Sequence, residues 1–126
     1  MSAHEGKKSI LIVDDEPDIC TTIKRSINGN GFVASSFTDP HLALQHVKLE
    51  PNKYDVLISD VRMPSMSGFE LARQVKAASP KTKVVMMTAF EIHKSEFDSV
   101  LPHSKIDGFL TKPFRTEELV SVLNNL

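Results

Sequence analysis

Five polar residues follow short apolar runs and could together carry out chemistry. Asp14 and Asp15 follow ILIV, Asp60 ends YDVLISD, Thr88 lies near the end of KVVMMTA, and Lys112 lies near the end of DGFLTKP. If these run ends meet, the lysine offsets one of three negative charges, and the remaining two match a divalent cation. Carboxylate oxygens suit a hard ion, so Mg²⁺ is the natural candidate. A metal, a lysine, a hydroxyl and a spare carboxylate together predict phosphoryl transfer.

An aspartate can be the nucleophile in such a transfer and form an acyl phosphate. Asp60 is the best candidate, because it is the lone acid at the end of its apolar run. Glu16 precedes Pro17 and is expected to face the positive end of the first helix instead of the metal.

The elements that must position these residues are short apolar runs in alternation with amphipathic segments. Ile19, Ile23 and Ile27 recur at four-residue spacing, which is typical of a helix that buries one face. Pro40 suits a first helical turn, with Asp39 as its N-cap. The five predicted strands are residues 10–13, 32–34, 56–58, 84–87 and 106–110.

Five strands and five helices in strict alternation predict an α/β fold with helices on both faces of a parallel sheet. The economical solution is a flavodoxin-like doubly wound (βα)5 domain with strand order 2-1-3-4-5. In this order strands 1, 3, 4 and 5 are adjacent, so their polar ends converge on one patch.

Length and composition are those of one globular domain. The chain has 126 residues and a formal net charge of −1, which argues against direct nucleic acid binding by this segment. Its apolar runs are far shorter than the roughly 20 residues of a membrane span. A polar start and a single cysteine, Cys20, favour a cytoplasmic protein. We expect a disordered tail over residues 1–7 and the domain over residues 8–126.

The segments IVDDEP, ISDVRMPSMSGFEL, VVMMTAF and GFLTKPF together resemble the CheY-like receiver domain of two-component response regulators. The resemblance covers about residues 8–126, with the motifs in order. It implies a phosphoryl-accepting switch whose partner is a sensor histidine kinase or a histidine phosphotransfer protein. Such a domain is not an enzyme beyond catalysing its own phosphorylation and slow self-dephosphorylation. Dimerisation on phosphorylation is a further expectation.

The resemblance assigns Asp60 as the phosphoacceptor and Asp14 and Asp15 as the acidic pair of a Mg²⁺ site. Asp15, Asp60 and the backbone carbonyl of Arg62 would coordinate the ion, with Asp14 acting through water. These roles are implied by the family pattern, position by position.

The resemblance also assigns the groups that respond to phosphorylation. Thr88 would bond the phosphoryl group, Lys112 would pair with it, and the Lys112-Pro113 bond would be cis. Phe109 takes the aromatic switch position, where it lacks the hydroxyl of the tyrosine common there. The response is expected on the surface formed by the fourth predicted helix, the fifth strand and the fifth helix.

Two bulky residues are expected to tune the lifetime of the acyl phosphate. The resemblance implies that the positions two residues after the phosphoacceptor and two after the threonine, Arg62 and Phe90 here, lie over the face by which water approaches, so self-dephosphorylation should be slow. The chain departs from the family at Ser67, where aspartate is common, although serine caps a helix about as well. It departs again in the region 90–107, where Pro102 shortens the fourth predicted helix.

Two other functions share parts of this pattern. An aspartyl-nucleophile phosphatase of the haloacid dehalogenase type needs a second aspartate two residues after the first, where this chain has Arg62, which cannot serve as a general acid at neutral pH. An unphosphorylated receiver-like interaction module remains open. The cognate kinase, the output and the oligomeric state are not encoded in these residues.

Overall fold

Over the described part of the chain, five parallel strands form one sheet in the predicted order 2-1-3-4-5. The computed structural model describes residues 6–89 and 106–126. Its strands are β1 (Lys8–Val13), β2 (Phe32–Phe37), β3 (Val56–Asp60), β4 (Lys83–Thr88) and β5 (Gly108–Thr111), and its helices are α1 (Pro17–Ile27), α2 (Pro40–Leu49), α3 (Gly68–Ala78) and α4 (Thr116–Asn124).

Some predictions fall outside the described residues. The fourth predicted helix lies within residues 90–105, so α4 is the fifth helix of the predicted pattern. Most of the expected disordered tail, residues 1–7, precedes the described part of the chain and stays a prediction. None of the helices in the described ranges is long and apolar enough to cross a membrane.

Both faces of the sheet are covered, which explains the nearly continuous apolar strands. Side chains alternate across a strand, so Leu57 of β3 packs with residues of α2 and α3 on one face. Ile58 packs with residues of α1 and α4 on the other face. Cys20 of α1 belongs to this second layer and is buried, as expected of a free thiol.

The helix starts follow the local sequence. Proline is in the first turn of both α1 and α2, and the Asp39 side chain caps α2 by accepting a hydrogen bond of 2.9 Å from the His41 backbone N–H. The Ser67 hydroxyl accepts from the Glu70 backbone N–H at 3.1 Å and caps α3. Serine therefore does the capping expected of it at this position.

The register of the sheet aligns the carboxyl ends of the inner strands. Val13 of β1 lies opposite Ser59 of β3, and Asp60 lies opposite Met87 of β4. Thr88 of β4 lies opposite Thr111 of β5. The polar residues that follow these strands therefore meet at one edge, outside the carboxyl ends of a doubly wound sheet.

Candidate functional site

Three carboxylates meet at this edge. Each of Asp14, Asp15 and Asp60 offers an oxygen, and these oxygens lie within 4.8 Å of one another. Asp14 is fully buried, Asp60 is half-buried and Asp15 is exposed. An all-oxygen donor set that is open to solvent on one side fits a hard divalent cation with retained waters. The acidic cluster can therefore hold a metal ion.

Lys112 joins two of these acids. Its Nζ lies 2.7 Å from Asp14 Oδ2 and 3.3 Å from Asp60 Oδ1. The backbone N–H of Lys112 donates to the Thr88 carbonyl at 2.7 Å, which fixes the lysine at the end of the β4–β5 pair. The Lys112-Pro113 bond is cis, as the resemblance implied.

Asp14 is held by the protein on both of its carboxylate oxygens. Oδ2 accepts from Lys112, and Oδ1 accepts from the Glu16 backbone N–H at 2.9 Å. Asp15 carries its carboxylate at the exposed side of the cluster. This difference supports the expectation that Asp15 binds an ion directly whereas Asp14 acts through water. Glu16 itself is the N-cap residue of α1, although its side chain makes no capping hydrogen bond.

Burial and neighbouring charge act against each other at Asp60. Burial raises the pKa of Asp60, Lys112 lowers it, and the charges of Asp14 and Asp15 raise it, with a net rise above its ordinary value. Burial lowers the pKa of Lys112. The hydrogen bonds and negative charges of Asp14 and Asp60 outweigh burial and raise this pKa above its ordinary value. The lysine therefore stays charged, and a cation at the cluster would favour the ionised form of Asp60.

The two predicted switch residues lie on neighbouring strands. Thr88, the last residue of β4, is 5% exposed, and Phe109 of β5 is 41% exposed. Arg62, one of the two residues expected to tune the lifetime, is exposed in the segment that follows β3. Phe90, the other, lies outside the described residues, so its position over the site stays a prediction.

One close contact at the site could not be inferred from the sequence. Gly68 begins α3 directly against β3, and a Cβ atom built on it would lie 2.1 Å from the Asp60 carbonyl oxygen. Real Cβ atoms do not approach a backbone oxygen so closely, so only glycine fits without movement. Ser67 was expected to cap a helix, but that expectation did not indicate which atoms Gly68 would approach.

A parallel five-stranded sheet with acids and a lysine at its carboxyl edge defines a class of signalling domain. The family model described as response regulator receiver domain matches residues 10–124. The chain belongs to this family. The resemblance drawn from the four motifs is therefore confirmed.

Individual relatives agree with this family assignment. The chain is 33% identical over 113 residues to the alkaline phosphatase synthesis transcriptional regulatory protein PhoP of Bacillus subtilis, a match that covers 89% of this chain and 45% of PhoP. It resembles the structure of Vibrio cholerae chemotaxis protein CheY4 with a TM-score of 0.81 and 29% identity, covering 94% of this chain and 98% of that one.

A third relative was solved with ligands. The response regulator TrrA of Thermotoga maritima, in complex with Mg²⁺ and beryllofluoride, matches with a TM-score of 0.79 and 27% identity over 94% of this chain and 97% of that one. The chain spans less than half the length of PhoP, whereas it spans nearly all of CheY4 and TrrA.

Proposed function

We propose that Asp60 accepts a phosphoryl group from a phosphohistidine of a sensor histidine kinase or a histidine phosphotransfer protein. A carboxylate oxygen of Asp60 forms the bond to phosphorus while the phosphorus–nitrogen bond of the donor breaks and its imidazole leaves. The observation that carries this proposal is the meeting of Asp60 with a charged lysine and two further acids at one sheet edge. The chain would catalyse only its own phosphorylation and its slow self-dephosphorylation.

Mg²⁺ is the ion we assign to the acidic cluster, because its donors are all oxygen and because TrrA was solved with this ion. Asp15, Asp60 and the backbone carbonyl of Arg62 would hold it, and Asp14 would act through water. The ion supplies positive charge for the phosphoryl oxygens as charge redistributes. Lys112 would also supply positive charge to the phosphoryl oxygens, since its ammonium group already lies 3.3 Å from Asp60 Oδ1.

The partner would approach where the site opens. A cavity of about 410 Å³ borders Lys112 and is lined by apolar residues of α1 and of the segment after β5, among them Ile19, Ile23 and Phe114. A helix of the phosphodonor protein that packs here would bring its histidine to Asp60. We further propose that the chain acts in the cytoplasm and that its phosphorylated form dimerises.

Removal of one metal ligand should prevent phosphorylation. With Mg²⁺ and acetyl phosphate, the wild-type chain should gain one phosphoryl group that hydroxylamine removes, and a chelator should abolish the gain. Asp15→Ala should slow labelling by about 100-fold, since loss of a ligand costs several kcal/mol of charge stabilisation. Intact mass spectrometry over time measures both.

Asp18→Ala is the matched control, because Asp18 is an exposed carboxylate three residues away on α1. It should be labelled at the wild-type rate. Equal labelling of Asp15→Ala and Asp18→Ala would contradict the metal assignment, and no labelling of the wild type would contradict the proposed function.

Phosphorylation would act as a switch through Thr88 and Phe109. The Thr88 hydroxyl would bond a phosphoryl oxygen, a contact that only the phosphorylated site offers and that provides the differential interaction a two-state change requires. Its shift would open space beside β5 for Phe109, which is 41% exposed in this structure. Burial of a phenylalanine is worth about 1.5–3 kcal/mol, comparable with typical allosteric coupling.

Loss of the Thr88 hydroxyl should uncouple the response from phosphorylation. Thr88→Ala should still be phosphorylated on Asp60, yet beryllofluoride should no longer change hydrogen exchange in β5 (Gly108–Thr111). Thr111→Ala, which removes the exposed hydroxyl opposite Thr88, should respond like the wild type. A wild-type response in Thr88→Ala would show that the signal takes another route.

A further inference from the structure

We propose that Ser59 is a positioning residue for the phosphoacceptor. Ser59 is completely buried, and its hydroxyl donates a hydrogen bond of 3.0 Å to the main-chain carbonyl of Asp60. This bond fixes the peptide that follows Asp60, and through it the direction of the Asp60 carboxylate. The inference rests on the proposed function of Asp60 as phosphoacceptor.

The Asp60 carbonyl lies where the sheet ends. The pairs between β1 and β3 run from Ile10–Val56 to Val13–Ser59, so Asp60 is one residue beyond the last of them. On its other side the ladder continues, with Asp60 opposite Met87 and the Val61 N–H donating to the Met87 carbonyl at 3.0 Å. The Ser59 hydroxyl therefore supplies a hydrogen-bond donor to the Asp60 carbonyl at the point where β1 stops pairing with β3. Buried carbonyl groups generally need such a donor.

The same hydroxyl lies at the junction of β3 with α3. A Cβ atom on Gly68 would lie 3.1 Å from Ser59 Oγ, and the Gly68 N–H donates to the Val61 carbonyl at 2.8 Å. The bond from Ser59 and the bond from Gly68 thus hold two successive carbonyls, those of Asp60 and Val61. The next carbonyl is that of Arg62, the proposed main-chain ligand of Mg²⁺.

Ser59 is not itself placed to touch a phosphoryl group. Successive side chains of a strand point to opposite faces, so Ser59 points away from the face that carries Asp60. Any effect of Ser59 on phosphorylation must therefore pass through the backbone. Loss of the hydroxyl would leave a buried carbonyl without this donor, and the peptide would rotate toward another partner.

Ser59→Ala should lower the maximal rate of phosphorylation by acetyl phosphate about three- to tenfold at saturating Mg²⁺, the factor that corresponds to one net hydrogen bond. Its donor concentration at half-maximal rate should change little, because donor binding does not involve Ser59. Mg²⁺ affinity, measured by titration of the metal-free chain in NMR spectra, should fall by a similar factor. Ser59→Cys keeps the side-chain shape with a somewhat larger atom and a weak donor, so it should fold and give an intermediate rate.

Ser79→Ala is the matched control. Ser79 is 1% exposed and hydrogen-bonded to Thr82 at 2.7 Å, but it lies at the end of α3. Its loss should lower the midpoint of thermal unfolding while leaving both the phosphorylation rate and the Mg²⁺ affinity at wild-type values. The proposal is overturned if Ser59→Ala and Ser59→Cys have wild-type rate and affinity, or if Ser79→Ala loses both to the same extent.

The two proposals fail in different ways. A wild-type chain that is phosphorylated, with Ser59 variants that match it, contradicts only the role of Ser59. A wild-type chain that binds Mg²⁺ but is not phosphorylated contradicts the proposed function. In that case the Mg²⁺ affinities of Ser59→Ala and Ser79→Ala still decide whether Ser59 positions the site.

Discussion

Asp60→Asn should abolish acyl phosphorylation and, in the absence of metal, raise the thermal stability of the domain at neutral pH. The first effect follows because an amide cannot supply the carboxylate oxygen that attacks phosphorus. The second follows because the ionised Asp60 is half-buried beside Asp14 and Asp15. Asparagine keeps the shape of the side chain and removes the charge.

The pH dependence of this stabilisation has a definite sign. The pKa of Asp60 in the folded chain is raised above its ordinary value of 3.8, chiefly by burial, with Lys112 lowering it and Asp14 raising it. A raised carboxyl pKa means that the folded state favours the protonated form. The cost of ionisation is therefore absent below the ordinary pKa, grows as pH rises toward the folded pKa, and is fully present above the folded pKa.

Thermal unfolding at pH 7 and at pH 3 compares conditions that favour the ionised and the protonated form of Asp60. Asp60→Asn should unfold a few degrees above the wild type at pH 7 and with the wild type at pH 3. Mg²⁺ should reverse the order at pH 7, because it binds and stabilises the wild type more strongly. Asp18→Asn removes an exposed carboxylate from the first turn of α1, where a negative charge is favourable, so it should lower the pH 7 midpoint slightly and not raise it. A lower midpoint for metal-free Asp60→Asn at pH 7 would mean that Lys112 outweighs the burial of Asp60.

Gly68→Ala should both destabilise the domain and slow phosphorylation. The added Cβ would lie 2.1 Å from the Asp60 carbonyl oxygen, which belongs to the backbone and cannot swing aside as a side chain does. Overpacking of this kind costs about 1–3 kcal/mol or more, which exceeds the roughly 1 kcal/mol that alanine gains over glycine in a helix. Either β3 or α3 must shift, and Asp60 shifts with it. Chemical denaturation and the acetyl phosphate assay measure the two effects.

Gly108→Ala provides the comparison, since a Cβ there would approach the Val122 side chain at 3.0 Å instead of a backbone atom. Val122 is half-buried, but its methyl group needs to move by only a few tenths of an ångström, so this variant should lose less stability and keep the wild-type rate of phosphorylation. If Gly68→Ala folds and reacts like Gly108→Ala, the close approach of α3 to β3 does not constrain the site.

The sequence by itself determined the architecture and the residue types of the site. Strict alternation of apolar runs and helical segments specifies helices on both faces of a parallel sheet, because each crossover must be right-handed. Two acids follow the first apolar run, one follows the third, and a lysine follows the fifth. These positions predict a cluster of charged side chains at one edge of the sheet. Local signals were also sufficient for helix starts, as Asp39 and Ser67 show. These features depend on neighbours in the chain.

The tertiary structure decided which acid of the site is held by the protein and which acids are open to a metal ion. Lys112 lies 98 positions from Asp14 in the chain, yet its ammonium group is 2.7 Å from that carboxylate and farther, 3.3 Å, from Asp60. That preference, together with full burial of Asp14, separates an acid held by the protein from acids open to a metal ion. The contacts of Ser59 and Gly68 with the Asp60 carbonyl arise where β3 meets α3. They depend on the packing of two elements against each other, for which residue type and spacing along the chain carry no signal.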